Sequence, residues 1–172
     1  MEQILIIDNG SGKVKSGFSG EYSPRSIIPS IIGRPKNMNR LVGLTKDEYL
    51  GDEAQQKRRI LKISYPMEHC NINDWTDMEM IWDHIFLVEL RVSSDEYPVL
   101  ITEPFHNPNS NIEKITEIMF ETFNVPAMKI AIPGELSIYS EGKTTGIVCE
   151  SGDGNTHITP VFNGFTQRHA IK

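Results

Sequence analysis

The chain has 172 residues, of which 38% are hydrophobic, and its formal net charge is −6 at pH 7. This length is enough for one domain with a real core, and the acidic balance argues against binding to nucleic acid or to an anionic membrane surface. Because no apolar stretch approaches the length of a membrane span and the start lacks a basic signal region, we expect a cytoplasmic protein with reduced cysteines.

The first predicted element is a strand–turn–strand unit. The apolar run Ile4–Ile7 indicates a buried strand that ends at Asp8, and Val14–Phe18 indicates the returning strand. We expect Gly10 and Gly12 of the turn to adopt a positive φ and to let backbone N–H groups approach an anion, with added charge from nearby lysines. An acidic strand end beside such a turn is a candidate site for a metal-bound phosphate.

The middle of the chain is predicted to alternate short strands with helices, an order that favours a mixed sheet with flanking helices. Its first part should contain an edge or bulged strand at 25–32, an exposed excursion at 34–50, a helix at 53–60 capped by Asp52 and a strand at 61–65. Its second part should contain a long core helix capped by Asn73 or Thr76 and ending near Arg91, a strand at 99–102, a helix capped by Asn109, a strand at 128–132 and a helix at 133–140.

A second strand–turn–strand unit follows, and it repeats the first. The apolar strand 146–149 ends at Glu150, the turn is Ser151-Gly152-Asp153-Gly154, and residues 156–162 return. Two facing hairpins of this kind can clamp a polyphosphate, with the two acids holding Mg²⁺ between them. The alternative, two ordinary glycine-turned hairpins with solvated acids, remains open on the pattern alone. A final turn at 162–165 and a trailing end at 169–172 complete the predicted elements.

The chain resembles actin over essentially all of residues 4–171. The motifs that carry the resemblance occur in order and are Asp8-Asn-Gly-Ser-Gly12, Pro29-Ser-Ile-Ile-Gly-Arg-Pro35, Gly51-Asp-Glu-Ala-Gln55, Tyr65-Pro-Met-Glu-His69, Glu89-Leu-Arg-Val92, Ile118-Met-Phe-Glu-Thr-Phe-Asn124, Pro126-Ala-Met128, Thr144-Thr-Gly-Ile-Val148 and Ser151-Gly-Asp-Gly154. The resemblance implies an α/β fold of the RNase-H-like type shared by actin and Hsp70, a mixed sheet flanked by helices. It also implies ATP and Mg²⁺ held between two lobes, which we expect this chain to bind weakly or not at all.

The resemblance implies that the chain is divided into three structural parts. Residues 1–33 and 66–140 would form the main actin-like lobe, residues 34–65 a small inserted subdomain with an exposed loop at 37–50, and residues 141–172 the second phosphate hairpin and the start of the second lobe. Because the sequence ends at Lys172, less than half the length of an actin, we expect a first lobe only, with apolar surface left uncovered.

The resemblance also assigns roles to particular residues. Those that would hold the nucleotide phosphates and orient Mg²⁺ are Asp8, Gly10, Ser11, Gly12, Lys15, Gly152, Asp153 and Gly154. His69 matches a histidine that is methylated in the family. A hydrophobic cleft for actin-binding proteins would include Tyr139, Gly142, Thr144, Gly164 and Phe165, and a filament-contact loop would carry Met38, Leu41 and Val42. The other histidines show no ligand spacing, so no metal site built directly from protein is expected.

Two positions depart from the actin pattern where catalysis would need them. Pro133 stands where actins have the Gln that positions the attacking water, and Pro has no side-chain donor or acceptor. Glu150 stands where actins have Asp, and its extra methylene moves the carboxylate by about 1.5 Å, more than the roughly 0.5 Å that a preorganised site tolerates. Loss of a positioning group lowers a rate by about two orders of magnitude, so we expect no intact catalytic site.

Three functions follow from these observations. The first is a truncated, catalytically inactive actin-like protein that serves as a structural or interaction subunit of a cytoskeletal or actin-related assembly. The second is an ATP-binding ATPase completed by a second lobe from another chain, and the third is a fragment without a role. The expected partners are actin, an actin-related or actin-binding protein, or a second copy through the uncovered face, without nucleic acid or membrane insertion.

Overall fold

The computed structural model of the chain describes residues 3–36, 45–103 and 107–172. Within these ranges the strands are β1 Leu5–Asn9, β2 Lys13–Phe18, β3 Ser26–Pro29, β4 Ile32–Pro35, β5 Tyr49–Leu50, β6 Leu61–Ser64, β7 Met67–Glu68, β8 Asn71–Ile72, β9 Val99–Thr102, β10 Met128–Ala131, β11 Gly146–Ser151, β12 Thr156–Phe162 and β13 Phe165–Thr166. The α-helices are α1 Gly51–Gln56, α2 Trp75–His84, α3 Asn109–Glu117 and α4 Pro133–Ser140. No helix in these ranges is long and apolar enough to span a bilayer. The predicted filament-contact residues Met38, Leu41 and Val42 lie outside the described residues.

A five-stranded mixed sheet of order β10-β9-β1-β2-β3 forms the centre of the fold. β1 pairs antiparallel with β2 through the first hairpin and parallel with β9, which in turn pairs parallel with β10. A tight turn can join only antiparallel strands, whereas parallel strands need a longer crossover such as a helix. The order of hairpins and helices along the chain therefore gives this mixture, and the predicted mixed α/β sheet is confirmed.

Helices α2 and α3 share one apolar core with the central sheet. Each continues into a π-helical segment, Ile85–Leu90 after α2 and Ile118–Thr122 after α3. Trp82 of α2 and both Leu5 and Ile7 of β1 are completely buried in this core. The predicted amphipathic helix is thus present, and its apolar side is core packing, as its helical spacing indicates.

The predicted helix caps are wrong. The cap positions are Leu50, Asp74 and Pro108, and not Asp52, Asn73 or Thr76, and Asn109. At α2 the Asp74 carboxylate accepts the backbone N–H of Asp77 at 3.0 Å, which is the usual way to satisfy the first turn of a helix. Leu50 and Pro108 make no side-chain cap hydrogen bond, because α1 and α3 begin earlier than predicted and the polar residues Asp52 and Asn109 lie within their first turns.

The predicted edge strand at 25–32 is confirmed for residues 26–29, but it stops at Pro29, and Ile32 already belongs to a second strand in another sheet. β3 is the edge strand of the central sheet, whereas β4 is the middle strand of a small sheet of order β5-β4-β6. The break follows Pro29, which has no backbone N–H to continue a ladder. Next to it, Ser30 donates its N–H to the carbonyl of Gly12 at 3.0 Å, so the bend rests against the turn of the first hairpin.

An ion-pair network joins the small sheet to α2. The guanidinium of Arg34 in β4 donates to both carboxylate oxygens of Asp77, at 2.5 and 3.0 Å, and to Glu48 at 2.9 Å. Ser64 of β6 donates to the same Asp77 at 2.7 Å. Because Asp77 is almost fully buried, its charge depends on these donors, which hold β4 and β6 against the helix.

We expect Asp77 to make the protein acid-sensitive. Burial alone would raise the pKa of Asp77, but hydrogen bonds from Arg34 and Ser64 outweigh it, so the pKa lies below its usual value in the folded state. Such a carboxylate stabilises the fold above its unfolded pKa, and this contribution is lost as the pH falls through the lower folded value. Denaturant unfolding should show that the free energy of unfolding decreases less between neutral and acidic pH in Asp77→Asn than in wild type. An equal decrease in both proteins would contradict the assignment.

Helix α4 packs on a second antiparallel sheet of order β11-β12-β13. A Cβ on Gly134 would lie 2.7 Å from the Thr159 Cβ, so the helix start approaches β12 more closely than any other residue type allows. The predicted trailing end at 169–172 is wrong, because Ile158 and Lys172 exchange backbone hydrogen bonds of 2.9 and 3.2 Å. Burial of Ile171 accounts for this ordered end.

Candidate functional site

Asp8 lies at the end of β1 with both carboxylate oxygens engaged. Thr102, at the end of the neighbouring β9, donates its hydroxyl to Asp8 Oδ1 at 2.7 Å. Lys15, which faces Asp8 across the hairpin, donates to Oδ2 at 2.8 Å. Both members of this ion pair remain partly exposed, so the lysine is held beside the turn and within reach of an incoming anion.

Asn9 fixes the base of the first turn to the core. Its side-chain carbonyl accepts the indole N–H of Trp82 at 3.1 Å, and its backbone N–H reaches the Thr102 hydroxyl at 3.1 Å. Asn9 is only 5% exposed, and its Nδ2 is buried with no hydrogen-bond partner among the described residues. Buried donors are normally paired, so this amide marks a position where a ligand or water would be bound.

The turn glycines are needed for close approach and not for a left-handed backbone. The prediction of positive φ is wrong for Gly10 and Gly12, and the second turn does not adopt it at Gly152 or Gly154 either. A Cβ on Gly12 would lie 2.8 Å from the Asp153 Cβ, and a Cβ on Gly154 would overlap the Ser11 hydroxyl. The two turns therefore touch each other directly, and only glycine leaves room for this contact.

The loop after β7 joins the two turns. His69 and Cys70 adopt left-handed φ values of 51° and 62°, and the Cys70 N–H donates to the Ser11 hydroxyl at 2.9 Å. The His69 ring contacts the Gly154 carbonyl at 3.1 Å, and Asn155 donates to the His69 carbonyl at 3.0 Å. The Ser11 hydroxyl accepts the Cys70 N–H and also lies within hydrogen-bond reach of the Cys70 thiol, which fixes it beside the two turns.

A cleft of about 400 Å³ opens between the two turns. Its lining comes from the first turn, the second turn, the Lys13 and Lys15 side chains and Cys70. This brings together the predicted phosphate residues, listed as Gly10, Ser11, Gly12, Lys15, Gly152, Asp153 and Gly154. A concave surface of backbone amides, a hydroxyl and lysine is suited to phosphate oxygens.

A smaller cavity of about 170 Å³ adjoins the cleft and contains both predicted acids, Asp8 and Glu150. Glu150 accepts the Ser137 hydroxyl at 3.2 Å, and burial raises its pKa, with the nearby Asp8 charge adding to the shift. Glu150 faces His157 across the second hairpin, and His157 Nε2 is buried without a hydrogen-bond partner among the described residues. Pro133 also lines this cavity and offers no side-chain donor or acceptor.

The donor set of these two spaces fits phosphate and a hard divalent cation. The carboxylates of Asp8 and Glu150 line one cavity and would hold Mg²⁺ through its bound waters, since the described residues contain no group of three or more His, Cys, Asp or Glu side chains that could bind a metal ion directly. The Ser11 hydroxyl and Lys15 lie in the adjoining cleft, where phosphate oxygens would be held. The unpaired Asn9 amide in the same cavity supports a bound ligand. Mg²⁺, when bound there, would neutralise phosphate charge.

The predicted partner-cleft residues form a separate group near the far end of α4. Tyr139 donates its hydroxyl to the Gly164 carbonyl at 2.6 Å, and the Gly164 N–H donates to the Thr144 carbonyl at 2.6 Å. Gly142 ends the helix with a φ of 67°, and Phe165 is 75% exposed. These contacts bring Tyr139, Thr144 and Gly164 together, beside an exposed aromatic ring.

Sequence reasoning missed Cys70, Ser137, Asn155 and His157 as site residues. Cys70 and Asn155 contribute through backbone and amide contacts that join segments far apart in the sequence. The histidines lack the spacing of metal ligands, which gives no reason to select His157. Its position opposite Glu150 in the repeated hairpin is the signal that places it in the site. Cross-strand neighbours in an antiparallel pair share one face of the sheet.

The printed sequence was compared with models of known protein families. A family model described as Actin matches residues 1–172.

Proposed function

The chain belongs to the actin family, and from this premise we propose that it is a catalytically inactive member that binds phosphate between its two hairpins and serves as a structural or interaction subunit of a cytoskeletal or actin-related assembly. The observation that carries the proposal is Pro133. This residue lines the cavity beside both acids, where hydrolysis requires a group that orients water. A proline side chain cannot form a hydrogen bond with water. No side chain at position 133 therefore orients the water molecule that would attack the phosphate.

Phosphate binding is supported by the contact between the two turns. The Ser11 hydroxyl, the Lys15 ammonium and the turn amides line a single cleft, and the close approach of Gly12 to Asp153 needs glycine. The two hairpins thus contribute to one binding surface. Glu150 accepts a hydrogen bond from Ser137, and burial raises its pKa, which supports weaker Mg²⁺ binding than an exposed carboxylate would give.

A role in assembly is supported by apolar side chains on the face of the β11–β13 sheet turned away from α4. Ile147, Phe162 and Phe165 on this part of the protein are 74%, 57% and 75% exposed. A contiguous apolar patch is a frequent mark of a protein contact. The proposed partners are actin, an actin-related or actin-binding protein, or a second copy of the chain.

We expect the purified chain to release no inorganic phosphate from Mg-ATP above the level of an Asp8→Asn variant. Asp8→Asn removes the charge that pairs with Lys15. Phosphate release by this variant measures the contaminating ATPase activity of the preparation. Release is measured over several hours at a micromolar protein concentration. A wild-type rate clearly above that of Asp8→Asn contradicts the proposed inactivity.

A second candidate function is an ATPase completed by a second lobe from another chain. The observation in its favour is His157, whose unpaired Nε2 lies in the cavity with Glu150 and could accept a proton from water. The same phosphate-release assay is repeated with purified actin added. Turnover that needs both proteins and disappears in His157→Phe favours this second function over the first.

A further inference from the structure

A groove unrelated to the two hairpins runs along the outer side of α2 and its π-helical segment. It has a volume of about 410 Å³, and its opposite wall is formed by Leu50 and by Thr122 and Phe123 near the end of α3. The residues that α2 contributes recur every three or four positions, so they form one continuous stripe along the helix. The groove is therefore long and straight, like the contact face of a second helix.

One half of the stripe is acidic. Glu79 and Asp83 lie one helical turn apart, and neither carboxylate forms a hydrogen bond or ion pair within the described part of the chain. Lys and Arg are absent from the described residues that line the groove, and the ring of His84, which also lines it, lies 3.2 Å from the Glu89 carboxylate and not beside Glu79 or Asp83. Arg91, which follows the π-helical segment, directs its guanidinium to the Val88 carbonyl at 3.4 Å. The acidic half therefore has an unbalanced negative charge in a protein whose net charge is already −6.

The other half of the stripe is apolar. Leu87 and Val88 are 60% and 52% exposed, although they belong to a helix whose inner side is completely buried. Met80, between Glu79 and Asp83 in the sequence, is half-buried beside the two acids, and Phe123 is buried where it lines the groove. Two adjacent exposed aliphatic residues beside a buried aromatic ring are the kind of surface that a partner's apolar side chains cover.

We propose that this groove binds a basic amphipathic helix of a partner protein. Leucine-like side chains of that helix would pack on Leu87, Val88 and Met80, and lysine or arginine residues one or two turns away would pair with Glu79 and Asp83. Helix-in-groove recognition uses anchors at a spacing of three and four residues, which is the spacing of this stripe. The proposal goes beyond the phosphate cleft and does not depend on it.

Charge decides between a basic partner and a second copy of the chain. In a two-fold symmetric dimer the groove meets its own copy, so Glu79 and Asp83 would face the apolar Leu87 and Val88 if the helices run antiparallel, or the same carboxylates if they run parallel, and would meet no lysine or arginine of the groove in either case. Like charges brought together in this way destabilise a contact, whereas a basic segment removes the repulsion. A basic helix is therefore the occupant that fits both halves of the groove.

The proposal is tested by fluorescence anisotropy with three synthetic peptides. The first is a helix-forming peptide with leucines on one side and lysines on the other, the second has the same composition in scrambled order, and the third has glutamates in place of the lysines. We expect the basic amphipathic peptide to bind at micromolar concentration and the other two to bind at least about tenfold more weakly, since both halves of the contact are needed.

Variants of the groove separate its two halves. Glu79→Gln/Asp83→Asn should weaken binding about tenfold at low salt and reduce its salt dependence, because Asp83 is exposed and Glu79 partly exposed, so salt screens both charges. Leu87→Ser should weaken binding by about the same factor and leave the salt dependence unchanged. The matched controls are Glu113→Gln/Glu141→Gln, which removes the same charge elsewhere, and Ile27→Ser, which removes an exposed aliphatic residue outside the groove.

Three results would overturn the proposal. One is equal binding of the ordered and scrambled basic peptides, which would indicate non-specific attraction to an acidic protein. Another is equal loss of binding in the groove variants and their matched controls. The third is self-association in sedimentation velocity that Leu87→Ser abolishes and the basic peptide does not displace, since the occupant is then a second copy.

Discussion

Replacing Gly154 by Ala is expected to weaken triphosphate binding to the cleft about a hundredfold or more, because a misplaced contact of this size is poorly tolerated in a preorganised site. The new Cβ would overlap the Ser11 hydroxyl and lie 3.2 Å from the Cys70 backbone nitrogen. Either the hydroxyl rotates away from the cleft or the two turns separate. Overpacking of this kind also lowers the free energy of unfolding by about 1–3 kcal/mol, which leaves the chain folded.

Gly152→Ala is the matched control for this experiment. A Cβ on Gly152 would have its nearest neighbour, the Asn155 carbonyl oxygen, at 3.9 Å, which is ordinary contact. Both variants are titrated by calorimetry with Mg-ATP and with tripolyphosphate, so that phosphate contacts are measured without the nucleoside. If Gly154→Ala and Gly152→Ala bind equally, the contact between the turns does not form the binding site.

Replacing Trp82 by Ala is expected to lower the free energy of unfolding by about 3–5 kcal/mol, the usual cost of removing a buried aromatic side chain. Trp82 is completely buried in the core between α2 and the central sheet. Its indole N–H also donates to the Asn9 side chain at 3.1 Å, so its loss leaves a buried amide carbonyl without a partner. Urea unfolding followed by circular dichroism measures the change.

Trp82→Phe separates the two contributions. It keeps most of the ring volume and removes only the hydrogen bond to Asn9, so we expect a smaller loss of about 1–3 kcal/mol. Because Asn9 supports the first turn, Trp82→Phe should also weaken phosphate binding more than an equally destabilising core substitution such as Ile81→Val. If the two variants bind phosphate equally, the turn does not depend on this contact.

Local patterns predicted much of the fold. The strand Val99–Thr102 and the helix Pro133–Ser140 have the predicted bounds, since an apolar β-branched run and a proline at the first helical position are strong local signals. Other features depend on contacts between segments far apart in sequence. The strand breaks after Pro29 because the residues before and after the break pair with strands of two different sheets. The pairing of Lys172 with Ile158 follows from burial of Ile171.

The candidate site was predicted in outline and missed in detail. The repeat of acid and glycine turn indicated that Asp8 and Glu150 would share a site, and they line one cavity. The role of the glycines was misread, because close approach between two turns is a property of the assembled fold and not of either turn alone. The contacts of Cys70 and Asn155 depend on the left-handed backbone of His69 and Cys70, which no local sequence pattern predicts. The division into parts at residues 33, 65 and 140 stays a prediction.

The most direct test of the account follows bound nucleotide over time. Purified chain is incubated with radiolabelled Mg-ATP, bound and free ligand are separated at equilibrium by ultrafiltration at high protein concentration, and the chemical form of the bound ligand is determined. The account predicts that triphosphate is recovered intact from wild type and Gly152→Ala and is absent from Gly154→Ala. Recovery of diphosphate, with steady phosphate release by the chain alone, would contradict it.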